Sequence, residues 1–245
     1  MKNVLILGAT SGIAKALAYQ FAEQQHNLLL AGRDLEELKR IAQDISIRHE
    51  VRATVHPFDA LDYEGHADFF AGCVEAVGEI DGVVLAYGYL GDQKLAENEF
   101  QEARLVIETN FLSAVSVLNL AANYFEARKE GFLCVLSSVA GDRGRQSNFM
   151  YGSAKGGLSL YVQGLRNRLS KSNVSVLTVK PGFVDTKMTY GQEGMFLVAK
   201  PEDVARTIYK RIKKRADVAY TPFFWRYIMM IIKAVPERIF KRLNL

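Results

Sequence analysis

Short apolar runs alternate along this chain with longer stretches in which apolar residues recur every three or four positions, the pattern that a parallel βαβ sheet imposes. Val4–Leu7 predicts a first strand; beyond Gly12, the spacing of Ile13, Leu17 and Phe21 predicts a helix with one apolar face. Leu28–Ala31 predicts a second strand, followed by a helix over Asp34–Ile47 with Asp34 at its N-cap. Val51–Pro57 predicts a third strand, which passes through Asp59 into a helix over Tyr63–Val77. Gly82–Ala86 and a long helix over about Phe100–Glu126 come next, then Phe132–Leu136 and a helix over Tyr151–Leu169. Val174–Val179 predicts a sixth strand ending at Pro181-Gly182; a helix over Pro201–Lys214 and a short strand at Val218–Tyr220 follow. No repeat, low-complexity tract or linker interrupts the series. Residues 1–220 therefore read as one α/β domain and residues 221–245 as its C-terminal extension.

At 245 residues, 49% hydrophobic and 24% charged, the chain has the make-up of a soluble globular protein with a sizeable core. Cys73 and Cys134 sit in apolar runs without metal-ligand spacing, which fits reduced core thiols in a cytoplasmic protein and predicts no metal site. Met1–Asn3 leads directly into the first strand, so no secretory leader is expected. The net charge of +4 is uneven: residues 200–245 carry 12 Lys/Arg and 4 Asp/Glu, and the other 19 basic and 23 acidic residues leave residues 1–199 at −4. A basic end favours anionic partners such as lipid headgroups or phosphorylated substrates, or is simply a solvated helix face. No nucleic-acid partner is expected.

The first predicted strand ends in Gly8-Ala9-Thr10-Ser11-Gly12-Ile13-Ala14, where a helix begins. Gly8 permits a tight turn, Gly12 lets the backbone approach a pyrophosphate at the helix N-terminus, and Ala14 is small enough for close helix–strand packing. At the first βα junction of an alternating chain, this turn predicts a dinucleotide site. The second strand ends Ala31-Gly32-Arg33, without the acidic residue that bonds a ribose 2′-hydroxyl. An arginine there favours a 2′-phosphate, so NADP(H) is the expected cofactor, with NAD(H) as the alternative.

Tyr151 and Lys155 lie at i, i+4 in a predicted helix and share a face. A free phenol titrates near ~10. An ammonium about 4 Å away is worth roughly 4 kcal/mol at an effective dielectric near 20. Since about 1.4 kcal/mol is one pKa unit, such a neighbour is expected to bring the phenol towards neutrality. Tyr209 and Lys213 repeat the spacing, but Phe196 stands 13 residues before Tyr209, whereas Ser138 stands 13 before Tyr151 at the end of the fifth predicted strand. Ligands of open parallel sheets bind beyond the carboxyl ends of the strands. There the Ser138 hydroxyl is expected to hold a substrate oxygen while Tyr151 exchanges the proton; Ser137 reads as its structural neighbour.

In order and spacing these residues resemble the short-chain dehydrogenase/reductase family over roughly residues 2–220. The match comprises Gly8-x-x-x-Gly12-x-Ala14, Asp59, Asn110, Ser138, Tyr151-x-x-x-Lys155 and Pro181-Gly182-x-Val184-x-Thr186. The resemblance implies a single Rossmann-type doubly wound domain, a seven-stranded parallel sheet flanked by helices, assembled as a homodimer or homotetramer. It implies a catalytic set of Asn110, Ser138, Tyr151 and Lys155. Tyr151 would be the general acid/base and Ser138 would polarise the carbonyl. Lys155 would lower the Tyr151 pKa and hold the nicotinamide ribose, and Asn110 would keep a water in a proton relay. The implied cofactor contacts are Thr10, Ser11 and Ile13 in the first turn, Asp59 and Ala60 at the adenine, Ala86, Tyr87 and Gly88 after the fourth strand, and Val184 and Thr186 at the carboxamide. Leu7 and Leu85-Ala86-Tyr87-Gly88 depart from the family's threonine and Asn-Asn-Ala-Gly, so side-chain contacts to the cofactor differ there. The expected activity is that of an NADP(H)-dependent oxidoreductase on a carbonyl/alcohol pair. The alternative is a dinucleotide-sensing regulator without catalysis, which loss of Ser138, Tyr151 or Lys155 would favour; all three are present.

Substrate choice is expected in two places. In the loop between Ser138 and Tyr151, Arg143 and Arg145 either meet an anionic substrate or are solvated. In Lys187–Val198, two glycines with Met188, Met195 and Phe196 predict a mobile apolar lid. The charge-free run after Arg226 is six residues, far short of the ~20 that span a bilayer. Residues 222–245, apolar with Arg226, Lys233, Arg238, Lys241 and Arg242, predict an interfacial helix at the inner face of the membrane, or one buried against a partner subunit or over the mouth of the site. A membrane-surface module acting through this tail is a further alternative. The tail also resembles that of bacterial reductases acting on polyprenyl-phosphate-linked keto-sugars, which implies a lipid-linked keto-sugar or another apolar carbonyl as substrate.

Overall fold

The computed structural model describes residues 2–186 and 197–243. Its strands are β1 (Asn3–Leu7), β2 (Asn27–Gly32), β3 (Ala53–Pro57), β4 (Gly82–Leu85), β5 (Gly131–Leu136), β6 (Val174–Pro181) and β7 (Val218–Thr221). All pair in parallel in one seven-stranded sheet of order β3-β2-β1-β4-β5-β6-β7. The helices are α1 (Gly12–Glu23), α2 (Leu35–His49), α3 (His66–Val77), α4 (Gln93–Asn98), α5 (Phe100–Ile107), α6 (Ser113–Arg128), α7 (Phe149–Leu169), α8 (Pro201–Lys213), α9 (Trp225–Ala234) and α10 (Glu237–Phe240).

Helices on both faces explain the unbroken apolar strands. In β1 all of Val4, Leu5, Ile6 and Leu7 are fully buried, Val4 and Ile6 in the core formed with α1, α2 and α8, Leu5 and Leu7 in the core formed with α3, α6 and α7. The chain winds outward from β1 to β3, returns to β4, and then winds the other way. Connections therefore reverse between β1 and β4, and the crevice beyond their carboxyl ends is the sheet's switch point.

Local signals set several helix starts. Asp34 caps α2 by accepting from the Glu37 amide at 3.1 Å, as its position predicts. The third helix begins at His66 rather than Tyr63 because the Asp62 carboxylate accepts from the Gly65 amide at 3.2 Å and ends the turn before it. The expected long helix is instead α5 and α6 joined by a π turn, Glu108–Leu112. Within it, Asn110 Nδ2 donates to the Val106 carbonyl at 2.8 Å and Ser113 Oγ to the Thr109 carbonyl at 2.7 Å. Side-chain donors thus take carbonyls four residues back and widen the ladder. The stretch Phe100–Arg128 is long and apolar enough to cross a membrane by composition, but Ala114, Val117, Leu118, Ala121, Ala122 and Phe125 are fully buried against the sheet, which makes it a core helix.

The expected lid falls outside the described residues except for Leu197 and Val198, which are exposed. The C-terminal extension folds back over the carboxyl edge of the sheet: Trp225 and Met229 of α9 are buried with Val139, with Phe183 and Tyr220 packed around them.

Candidate active site

Three segments converge on the switch point. Gly8 has a φ of +79°, and a Cβ built on it would stand 2.7 Å from the Tyr87 nitrogen, so only glycine allows the turn to press against the loop after β4. Ser11 Oγ donates to the Ala86 carbonyl at 3.5 Å across the same crevice. At Gly12, a Cβ would lie 2.9 Å from Thr186 Cγ2, which brings the segment after β6 onto the N-terminus of α1. The first turn of α1 carries no acidic side chain, Thr10 is half-buried in the bend, and Ile13 packs into the core beneath it. A glycine-lined cradle at an unopposed helix N-terminus fits a pyrophosphate.

The rim residues take their places around it. Arg33 is exposed at the end of β2, and the adjacent Asp34 spends its carboxylate on the α2 cap. Asp59 Oδ1 accepts from the Leu61 amide at 3.0 Å, and Ala60 packs against the core. Pro181 and Val184 are buried, Val184 bridging to Ala199, while the Gly182 amide donates to the Thr221 carbonyl at 3.0 Å. The bulky departure at Tyr87 is accommodated in the core: its ring packs 5.6 Å from Phe58 and its hydroxyl lies 3.0 Å from Ser113 Oγ.

The catalytic candidates meet at the end of β5. Ser137 and Ser138, adjacent in sequence, do different work. Ser137 Oγ donates to the Lys155 carbonyl at 2.9 Å and lies 2.7 Å from Ser159 Oγ, pinning β5 to α7. Ser138 Oγ accepts from the Ala140 amide at 3.1 Å and stands next to the Tyr151 hydroxyl, whose pKa it lowers. Lys155 is 3% exposed; its Nζ donates to the Leu136 carbonyl at 3.1 Å and lies 5.7 Å from the centre of the Tyr151 ring. Asn110 is buried, with Nδ2 donating to the carbonyls of Tyr89 (2.6 Å) and Val106 (2.8 Å) and Oδ1 accepting from the Tyr89 amide at 3.1 Å. Its amide group therefore clasps the Tyr89 backbone of the β4 loop through one hydrogen and Oδ1, while the second hydrogen is taken by its own helix at Val106. Gly88 stands between the two: a Cβ there would be 2.8 Å from Asn110 Oδ1 and 3.3 Å from Lys155 Nζ.

The electrostatics correct one expectation. Tyr151 is not drawn towards neutrality; burial pushes it up to about 12, and the neighbouring Ser138 hydroxyl pulls the other way by less. Burial also pulls Lys155 down to about 8. Desolvation of the phenolate outweighs the ammonium because Lys155 faces the ring and directs its proton to a carbonyl rather than to the phenol oxygen. The look-alike pair separates cleanly: Tyr209 is buried edge-on to Phe21 at 5.4 Å with its hydroxyl 3.3 Å from His26, and Lys213 is exposed.

On the substrate side the two arginines diverge. Arg143 meets the tail, not a ligand: Nη1 donates to the carbonyls of Ile232 (3.0 Å), Lys233 (2.9 Å) and Val235 (2.8 Å), and Nη2 to Glu237 at 2.8 Å. Its guanidinium also lies 3.9 Å from the Phe240 ring centre. Arg145 is half-buried beside Met229, with Nε unpartnered. Sequence reasoning missed Trp225, whose indole would be 1.9 Å from a Cβ on Gly182 and so closes one side of the site. It also missed the buried Asp142 carboxylate, which pairs with Lys180 and accepts from the Tyr220 hydroxyl at 2.7 Å. The one tryptophan of the chain, in an apolar tail, was the available signal for the first.

Comparison with known proteins agrees with this geometry. An uncharacterized oxidoreductase of Mycobacterium tuberculosis is 32% identical over 98% of this chain and 96% of its own. An uncharacterized oxidoreductase of Streptomyces coelicolor is 34% identical over 99% and 96%. Among solved structures, a short-chain dehydrogenase from Sphingobium yanoikuyae in complex with NADPH superimposes with a TM-score of 0.82 at 20% identity, covering 97% of each chain. An alcohol dehydrogenase from Thermococcus sibiricus complexed with 5-hydroxy-NADP does so with 0.78 at 25% identity, covering 90% of this chain and 94% of its own. Residues 2–194 match the family model described as short chain dehydrogenase, and the chain belongs to that family of oxidoreductases.

Proposed function

We propose that this chain is an NADP(H)-dependent reductase that converts a ketone or aldehyde to an alcohol, or runs the reverse, with Tyr151 exchanging the proton. The observation that carries the reading is the placing of Tyr151 and Ser138 as neighbours beside the buried Lys155, at the carboxyl end of a central strand. The glycine turn of Gly8 and Gly12 would hold a pyrophosphate, and a nicotinamide dinucleotide bound there would supply or accept hydride at the substrate carbon. Ser138 orients the substrate oxygen. A phenol held up to about 12 stays protonated at neutral pH, which suits donation to that oxygen during reduction. Lys155, down at about 8, gives up a proton readily and recharges the phenol. Asn110 and Gly88 keep the β4 loop against Lys155.

Arg33 supports NADP(H) over NAD(H), and two structurally similar enzymes hold NADPH and an NADP derivative. The substrate is a lipid-linked keto-sugar or another apolar carbonyl compound, a reading supported by the apolar Trp225 wall beside Gly182. A homodimer or homotetramer is favoured by Phe100, Leu112, Phe149 and Leu160, large apolar side chains exposed around α5 and α7. A cytoplasmic site accords with Cys73 and Cys134 as buried free thiols. The test is oxidation of NADPH and NADH across a panel of ketones and aldehydes that includes lipid-linked sugars. Carbonyl-dependent oxidation, faster with NADPH, is expected; cofactor binding without turnover on any carbonyl would favour a dinucleotide-sensing regulator instead.

A further inference from the structure

We propose that the outward face of α9, together with α10, docks on the surface of an anionic lipid bilayer. The helix α9 is apolar on two faces. Its inner face buries Trp225 and Met229, with Phe224, Ile228 and Ile232 packed beside them. Its outer face, begun two residues before the helix proper, presents Phe223 (69% exposed), Tyr227 (56%), Met230 (60%) and Ile231 (65%). These stand at i, i+4, i+7 and i+8, one continuous stripe along the helix. Ile239 and Leu243 are exposed nearby in sequence, in and just after α10. A stripe of four large apolar side chains left in water calls for a covering surface.

Charge selects that surface. Arg226, Lys233, Arg238, Lys241 and Arg242 are all exposed, and none is in an ion pair among the described residues. The one carboxylate of residues 222–245, Glu237, is held by Arg143. A second copy related by a two-fold axis would set this basic rim against itself, and like charges across an interface oppose association. Anionic headgroups satisfy the rim while the acyl boundary takes the apolar stripe, the arrangement of an interfacial helix. At ten residues α9 is about 15 Å long, half of the hydrocarbon core, so it lies in the surface rather than crossing it. Because the opposite face of the same helix covers Gly182 through Trp225, docking sets the cleft next to the bilayer.

The docking stands apart from the catalytic reading, and its test does not use activity as the readout. The full chain is sedimented with vesicles of phosphatidylcholine alone and with about 30% phosphatidylglycerol, at low and high salt. Partitioning to the anionic vesicles, weakened by salt, is expected. A Tyr227→Ser/Met230→Ser/Ile231→Ser variant, altered only at exposed positions, should keep its melting temperature and lose binding by about tenfold or more, as should Arg238→Gln/Lys241→Gln/Arg242→Gln. The proposal is overturned if the wild type stays in the supernatant with both vesicle types, or if the triple apolar variant binds as well as the wild type. It is equally overturned if that variant changes a dimer to a monomer while vesicle binding is absent, because a second copy then covers the face.

Discussion

Lys155 donates from Nζ to the Leu136 carbonyl at 3.1 Å, which fastens the buried ammonium to the strand whose end carries Ser138. Lys155, Ser138 and Tyr151 therefore hold their relative places through β5 and α7 rather than through loops, as a proton-transferring group requires. The cost is a cation with 3% exposure that makes no ion pair among the described residues, and that cost is measurable.

Burial lowers Lys155 from its usual range to about 8. Between about 8 and the unfolded value near ~10.5, the unfolded chain binds a proton that the folded chain does not, so stability rises with pH across this window. Wild type and Lys155→Met should differ accordingly. The variant gains relative stability below pH 8, and its advantage shrinks by up to about 3 kcal/mol as pH rises through the window. Denaturant unfolding of both at several pH values checks this. A gap that stays constant with pH would mean that Lys155 is not desolvated.

The 2′-phosphate reading rests on Arg33. Replacing it by Asp should lower the ratio of kcat/KM for NADPH over NADH by about 10- to 100-fold, the worth of a charge-assisted hydrogen bond. Steady-state kinetics with both cofactors decide it, and an unchanged ratio would remove Arg33 from the phosphate site.

Arg143 and Arg145, two residues apart, should respond oppositely to the same substitution. Arg143→Met strands three carbonyls at the end of α9 and should cost about 1–3 kcal/mol, seen as a lower Tm by calorimetry. Arg145→Met removes a half-buried guanidinium whose Nε has no partner and should leave Tm unchanged or raised. Equal losses in the two variants would contradict the division of roles.

Much of this was legible in the residues themselves. The alternation of short apolar runs and helical periods locates every strand, because a strand covered on both faces has no polar side to display. Asp34 announces its cap, and the spacing of Ser138 and Tyr151-x-x-x-Lys155 announces that these side chains gather at the end of β5. What stayed hidden depends on partners distant in sequence. Arg143 is committed by carbonyls some 90 residues away, and Tyr87 is absorbed by Ser113 and Phe58. The direction of the Tyr151 shift was misjudged for a related reason: spacing reports the neighbouring charge, whereas desolvation is set by the folded surroundings.

The most direct test of Tyr151 as the proton-transferring group is the Tyr151→Phe variant, read by NADPH binding through fluorescence and by turnover on the same sample. Removing only the hydroxyl should leave the dissociation constant for NADPH nearly unchanged and lower kcat by about 10²- to 10⁴-fold. Turnover within a few-fold of wild type, with binding intact, would contradict the account.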